Sequence, residues 1–303
     1  MPDFAFDDEN IALPRGAWAK THRRRLIHAG RPVLALTQGA FRPYFFPLGT
    51  PAGFAVTSEC PADHPHHASL WIASDHVHML MPAAGDTVEE YTYNFYVDEV
   101  FQGRAPGRVV ETAVSGRPIG EDAFEIVQEL EWRGPSEWAA REGRLVARET
   151  RTLRVATGPT RHRIDLVSHF TSGEHALKLG PTRHAWFNAR VADSMIVANG
   201  GAIRDDRGRH RGTGTSGEGA RWVDFSGPVG GGVTAGLSII PRFADGRTPH
   251  WFVADWGVIT VGPFRSEALR LEPGETFGAH CTVLVHDGEA DVEEIERIAD
   301  EES

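Results

Sequence analysis

The chain has 303 residues, 41% hydrophobic and 24% charged, with a formal net charge of -11. That balance suits a globular protein with a large core, and the acidic excess excludes a general nucleic-acid binder, which would need a basic face. No stretch approaches the roughly eighteen apolar residues of a spanning helix, and Met1-Pro2-Asp3-Phe4 opens no signal peptide. We therefore expect a cytoplasmic protein with no membrane partner.

Residues 1 to 20 carry prolines and acids without a clear period and read as an edge strand or tail. The basic run Lys20-Thr21-His22-Arg23-Arg24-Arg25 reads as a solvated segment entering the first strand. Pro32 to Thr37 is a predicted strand. Arg42 to Leu48 is extended, bracketed by prolines that exclude helix. Cys60 and Cys281 are the only cysteines and read as free thiols in a reducing compartment.

Next comes Asp63 to His78, which holds His64, His66, His67, His76 and His78, five of the fifteen histidines. Leu70 to Ala73 reads as a short buried strand and Val77 to Met81 as the next. Residues 88 to 155 look like a meander. The segments 108–114, 124–132 and 145–155 alternate apolar and polar residues, and 163–170 repeats the theme. Such alternation means half-buried antiparallel sheet. Arg204 to Gly219 is aperiodic and Gly-rich, a surface loop. Strands follow at 233–240, 250–254, 258–261 and 280–285, with a turn at Leu271 to Glu275. Only the end reads as helix: Val292, Ile295 and Ile298 share one face. Many short strands with almost no helix predict an all-β antiparallel sandwich. We find no linker, so residues 1–303 are expected to form one domain.

The histidine cluster is the strongest candidate for chemistry. His64 and His66 project to one side of an extended chain, and so do His76 and His78. A turn at Ser74-Asp75 could bring the pairs together around a divalent metal ion. The His-Pro-His-His spacing matches no recognised metal geometry. Metal-free hydrogen bonding to loop backbone and sugar hydroxyls is therefore preferred. Upstream, Arg42 could clamp a carboxylate or polarise a carbonyl or form a buried structural salt bridge, with Tyr44, which could equally be core, and Glu59 and Asp63 beside it. A second polar stretch, Arg183 to Asn199, is expected to meet the cluster. There Trp186, Asn188 and Arg190 alternate on one predicted face, followed by Asp193. A flat ring beside hydrogen-bonding groups is how proteins hold sugars; a core Trp186 with a structural Arg190–Asp193 pair is the equally weighted alternative. Trp222, Asp224 and His250 have the same character. No Walker loop, G-x-G-x-x-G, G-x-S-x-G or H-E-x-x-H is present.

Several segments resemble a bacterial family of unknown function long labelled methane oxygenase PmoA. They are Arg42-Pro43-Tyr44, Pro61 to His67 with Leu70-Trp71, Arg190 to Met195, Ala220 to Pro228, and Thr248 to Trp251 with Pro263-Phe264. The resemblance spans about residues 25 to 289. It departs at Ala68, where the family has Arg, and at His76-Val77-His78. A true membrane oxygenase subunit needs spanning segments that this chain lacks. The resemblance implies a large sandwich similar to galactose mutarotase, found beside sugar-oxidising dehydrogenases. His184-Ala185-Trp186-Phe187-Asn188 also looks like the histidine motif of aldose mutarotases.

The expected function is proton-transfer chemistry on a sugar, by elimination or hydrolysis of a 3-keto sugar or glycoside. The expected catalytic residues are His64, His66, His67 and His184. The competing readings are an aldose mutarotase or epimerase, a non-catalytic sugar-binding protein, and a metal-dependent oxygenase. The expected partner is a small sugar, and self-association into a homo-oligomer stays open.

Overall fold

The computed structural model describes residues 3–8, 22–217, 219–244 and 246–301. Part of the N-terminal tail and the start of the basic run lie outside them. Two eight-stranded sheets form the body. The first runs from edge to edge through Phe4–Asp8, His22–His28, Arg31–Gln38, Pro43–Leu48, Leu70–Ser74, Ala185–Arg190, Val258–Gly262 and His250–Val253. The second runs through Ala202–Asp205, Val223–Gly230, Val233–Phe243, Thr276–Asp287, Arg161–Ser172, Leu145–Thr157, Ala123–Arg133 and Arg108–Pro118. A smaller sheet contains Leu269–Leu271, Ala176–Leu179, Val77–Pro82, Val88–Asn94 and Ala105–Pro106. Pairing is antiparallel except where Tyr93 and Asn94 run parallel to Ala105 and Pro106. Among the described residues, no helix is long and apolar enough to cross a membrane.

The two large sheets pack face to face, and aromatic side chains fill the space between them. Trp132 of the second sheet stacks on Trp186 of the first, 5.5 Å apart and nearly parallel. Phe170 and Phe277 meet Trp186 edge-on at 5.2 and 5.4 Å. Phe187 lies against Phe243. Offset and edge-to-face contacts of this kind add to the area that each ring buries.

The alternating segments behave as their period requires. In Leu145–Thr157, Val155, Leu153 and Arg151 are buried while Arg154 and Ala156 are exposed. Arg151 is fully buried and is neutralised by Glu149 at 2.6 Å. Leu70–Ser74 is buried at every residue because both its faces are covered. Leu70 and Ile72 join the main core. Trp71 and Ala73 pack on the opposite, outer face with Tyr44, Ala68 and Tyr96.

The C-terminal helix, Val292–Glu301, presents Ile295, Ile298 and Ala299 to the outer face of the second sheet. Glu293 and Glu294 in its first turn complement the helix dipole. Within the predicted loop at 204–219, residues Arg211–Thr215 form one helical turn. Arg23 is also not solvated. It is buried, with hydrogen bonds to Thr37 at 2.9 Å and Glu59 at 2.6 Å. Cys60 is exposed and Cys281 buried, and they are not joined.

Because Trp186 is 0% exposed at the centre of the aromatic core, Trp186→Ala should cost about 3–5 kcal/mol of unfolding free energy. Urea denaturation measures it. A loss under about 1 kcal/mol, the scale of a typical surface change, would contradict the stacking described.

Candidate functional site

The stretch Asp63–His67 folds over the outer face of the first sheet and meets Arg190 there. Asp63 accepts three bonds from Arg190, at 3.0, 3.1 and 3.1 Å, and lies 3.0 Å from His64 Nδ1. Arg190 is 2% exposed and also reaches Asp193 at 3.3 Å. Burial alone would raise the Asp63 carboxyl, but bonds from His64 and Arg190 outweigh it and lower it. At the other end, Arg42 is 3% exposed and ties the loop to residues 95–98. It donates to the carbonyls of His66, Phe95 and Tyr96 and pairs with Asp98.

Between these anchors the rings stack. Trp256 lies flat on His64 at 4.3 Å, and the Arg190 guanidinium lies 5.1 Å from the indole. The turn that presents Trp256 closes with Gly257 N–H donating to Ala254 C=O at 2.9 Å. Gly257 has φ +106°, where a side chain is strained, and an added Cβ would press on Val191 and Ile196 at 3.1 Å. His67 stacks on His64 at 4.8 Å and meets His66 at 4.6 Å. Its Nε2 lies 3.3 Å from the Tyr96 hydroxyl.

Tyr96 leads on to His184, with ring centroids 5.0 Å apart. His184 Nδ1 lies 3.0 Å from Asp75 Oδ2, and His76 Nδ1 lies 2.7 Å from Asp75 Oδ1. Thr182 Oγ1 donates to the same carboxylate and accepts from the His184 backbone N–H at 3.0 Å. Burial alone would raise the Asp75 carboxyl, but hydrogen bonds from His184, His76 and Thr182 hold it well below the usual carboxylate range. A charged Asp75 accepts the Nδ1–H of His184 and leaves Nε2 as an acceptor. Arg183 Nε donates to that Nε2 at 3.2 Å. The Arg183 guanidinium lies 4.3 Å from the Phe252 ring centroid.

Two of the cluster histidines, His66 and His67, are kept neutral. Burial, then the nearby Arg42 charge, pushes His66 down to about 4. Burial, then His66, pushes His67 down to about 2. A neutral imidazole offers one donor and one acceptor, which suits a hydroxyl group. A small cavity of about 40 Å³ opens beside His66, lined also by Arg42, Tyr44, Cys60 and Asp98.

A sequence profile of DUF6807, a family of unknown function, matches residues 24–300. The chain belongs to DUF6807. That family's description carries no activity, so the oxygenase name forms no part of the match. No curated protein matches this DUF6807 chain. Its backbone is similar to the crystal structure of a galactose mutarotase-like protein from Clostridium acetobutylicum, with a TM-score of 0.42 and 10% identity. That match covers 94% of this chain and 99% of that one.

In the DUF6807 chain the two predicted stretches share one outer face, but several residues fall elsewhere. Trp186 points into the aromatic core, so it offers no ring to a sugar. Trp222 packs under the C-terminal helix, its Nε1 donating to Glu296 at 3.0 Å. Asp224 is buried in the second sheet with Ser226, Ser238 and His286. Arg42 spends its donors on backbone carbonyls and Asp98, so it cannot clamp a substrate. His78 turns to Thr92 at 2.9 Å and Glu90 at 2.8 Å, away from His64 and His66. Among the described residues, no three His, Cys, Asp or Glu side chains are placed to share a metal ion.

Tyr44 donates to Glu59 at 2.7 Å, on the strand next to Trp71. Asn188 is fully buried beside Trp71 and donates to the Trp186 carbonyl at 2.9 Å. His250 shares its strand face with Phe252, one step further along. Asp75 and Arg183 lay within the two polar stretches, beside His76 and His184, without an assigned role; Tyr96, Phe252 and Trp256 escaped the sequence reading and carry no local signal.

The depressed histidines make a pH prediction. Unfolded, His66 and His67 take up protons below about pH 6.5. The native state refuses these protons, so stability falls as pH drops from 6.5 toward 4. The slope is up to about 1.4 kcal/mol per pH unit for each histidine. Urea denaturation at pH 7, 6 and 5 should show this slope, and a His66→Asn/His67→Asn double variant should flatten it. An unchanged slope in the double variant would refute the assignment.

Proposed function

We propose that the chain is a carbohydrate-active enzyme that moves a proton on a sugar, with His184 as the base. The observation that supports this reading is the Asp75–His184 pair. Asp75 fixes the tautomer and the ring orientation of His184, whose ring lies beside those of Tyr96 and Phe252. A carboxylate that orients an imidazole in this way is the usual arrangement for a general base. The half-buried Phe252 and Trp256 supply apolar edges beside a sugar ring, and neutral, half-buried His66 supplies a hydrogen bond to a hydroxyl.

The proton lies on a carbon next to a carbonyl group, either a 3-keto group or a carboxyl. His184 Nε2 takes this proton, and the electron pair left behind forms a carbon–carbon double bond. The C–O bond at the β position breaks, and the departing oxygen receives the proton from the imidazolium. Loss of the proton followed by its return to the other face would instead make the reaction an epimerisation.

The test is incubation with 3-keto glucosides and with glucuronides in deuterated water, followed by NMR. Wild type should exchange the acidic C–H or release the leaving group. His184→Ala should slow this by roughly a hundred- to ten-thousand-fold while staying folded. Near wild-type turnover by His184→Ala, or no exchange by wild type on any of these sugars, would overturn the reading.

A further inference from the structure

We propose that Arg183 is a specificity-determining residue for an acidic sugar and that it covers the His184 base until that sugar binds. The inference rests on the reading of His184 as the base and names the carbonyl group next to the reacting carbon as a carboxylate.

Arg183 is exposed beside His184. Its guanidinium is positioned twice, against the Phe252 ring at 4.3 Å and by its Nε on His184 Nε2 at 3.2 Å. Neither contact uses its two terminal nitrogens, and among the described residues no carboxylate pairs with it. The site's own carboxylates are already engaged. Asp63 is held by Arg190, Asp98 by Arg42, and Asp75 by His184, His76 and, at 3.7 Å, Arg104. A chain of net charge -11 therefore presents an unbalanced planar cation beside its base. A guanidinium fork of that kind matches a carboxylate in a two-point contact.

The chemistry uses the same placement. Pairing with Arg183 neutralises a uronate carboxylate and makes the adjacent C5–H more acidic. His184 Nε2 takes the C5 proton, the electrons form a C4=C5 double bond, and the C4–O bond breaks. The leaving oxygen takes the proton from the imidazolium, so no oxidant or further reactant is needed. The Nε2 lone pair accepts Arg183 Nε–H. Turning the fork onto the carboxylate gives up that bond and exposes the base only when an acidic sugar is in place.

The experiment compares methyl β-D-glucuronide with methyl β-D-glucoside in NMR titrations of wild type and Arg183→Gln. Wild type should bind the glucuronide at least about tenfold more tightly, a difference of about 1.4 kcal/mol. Arg183→Gln, a change at an exposed position, should bind both sugars alike. The His184 Nε2 nitrogen signal should move with the glucuronide and stay put with the glucoside. Equal wild-type affinities, a preference that survives in Arg183→Gln, or an unmoved Nε2 signal would overturn the assignment. Binding of both sugars without preference sinks the role of Arg183 alone. Failure to bind either sugar removes the sugar-enzyme reading along with it.

Discussion

The first sheet has two apolar faces, and the second sheet can cover only one of them. Tyr44, Trp71 and Ala73 on the outer face must be shielded by something else. The shield is a polar loop, Asp63–His67, with the segment around Tyr96. Loop backbone brought over a sheet has carbonyls that need partners. Buried Arg42 supplies three of those partners, and Arg190 holds the loop's acid. His66 and His67 therefore lie packed against the rings of Tyr96 and Trp71, where the neutral form is favoured. Their chemical state follows from the need to cover a sheet.

The same constraint explains what could be read from the chain. Strands covered on one face alternate, so the long strands from Arg108 to Ser172 were legible by period alone. The terminal helix was legible from Val292, Ile295 and Ile298. Strands covered on both faces lose the alternation that says which side is which. Period two puts Trp186 on the face of Asn188 and Arg190, but adjacent Trp186 and Phe187 both pack into the core, so the alternation fails at that step. Trp222 misled for a related reason. An indole that packs under a helix and donates to Glu296 reads, in one dimension, like an indole waiting for a sugar.

The site was half legible for a different reason. The histidines are dense in sequence, so their meeting with Arg190 could be anticipated. Asp75, Tyr96, Phe252 and Trp256 come from four separate segments, and none carries a motif. Only pairing of Leu70–Ser74 with Ala185–Arg190, and of Val258–Gly262 with both Ala185–Arg190 and His250–Val253, brings them together. The chemistry depends on that convergence. An imidazole held by a buried carboxylate gains its orientation from one partner and its surroundings from three others.

The bond between Arg190 and Asp63 joins residues 127 positions apart. Contacts that distant are slow to form, because the chain must give up loop entropy before they reward it. During synthesis the histidine segment leaves the ribosome well before Arg190, and Arg190 before Trp256. Until then the histidines have neither their salt bridge nor their indole, and the outer face around Trp71 stays uncovered. The assembled site can exist only once synthesis has passed Trp256, well after the histidine segment itself has emerged.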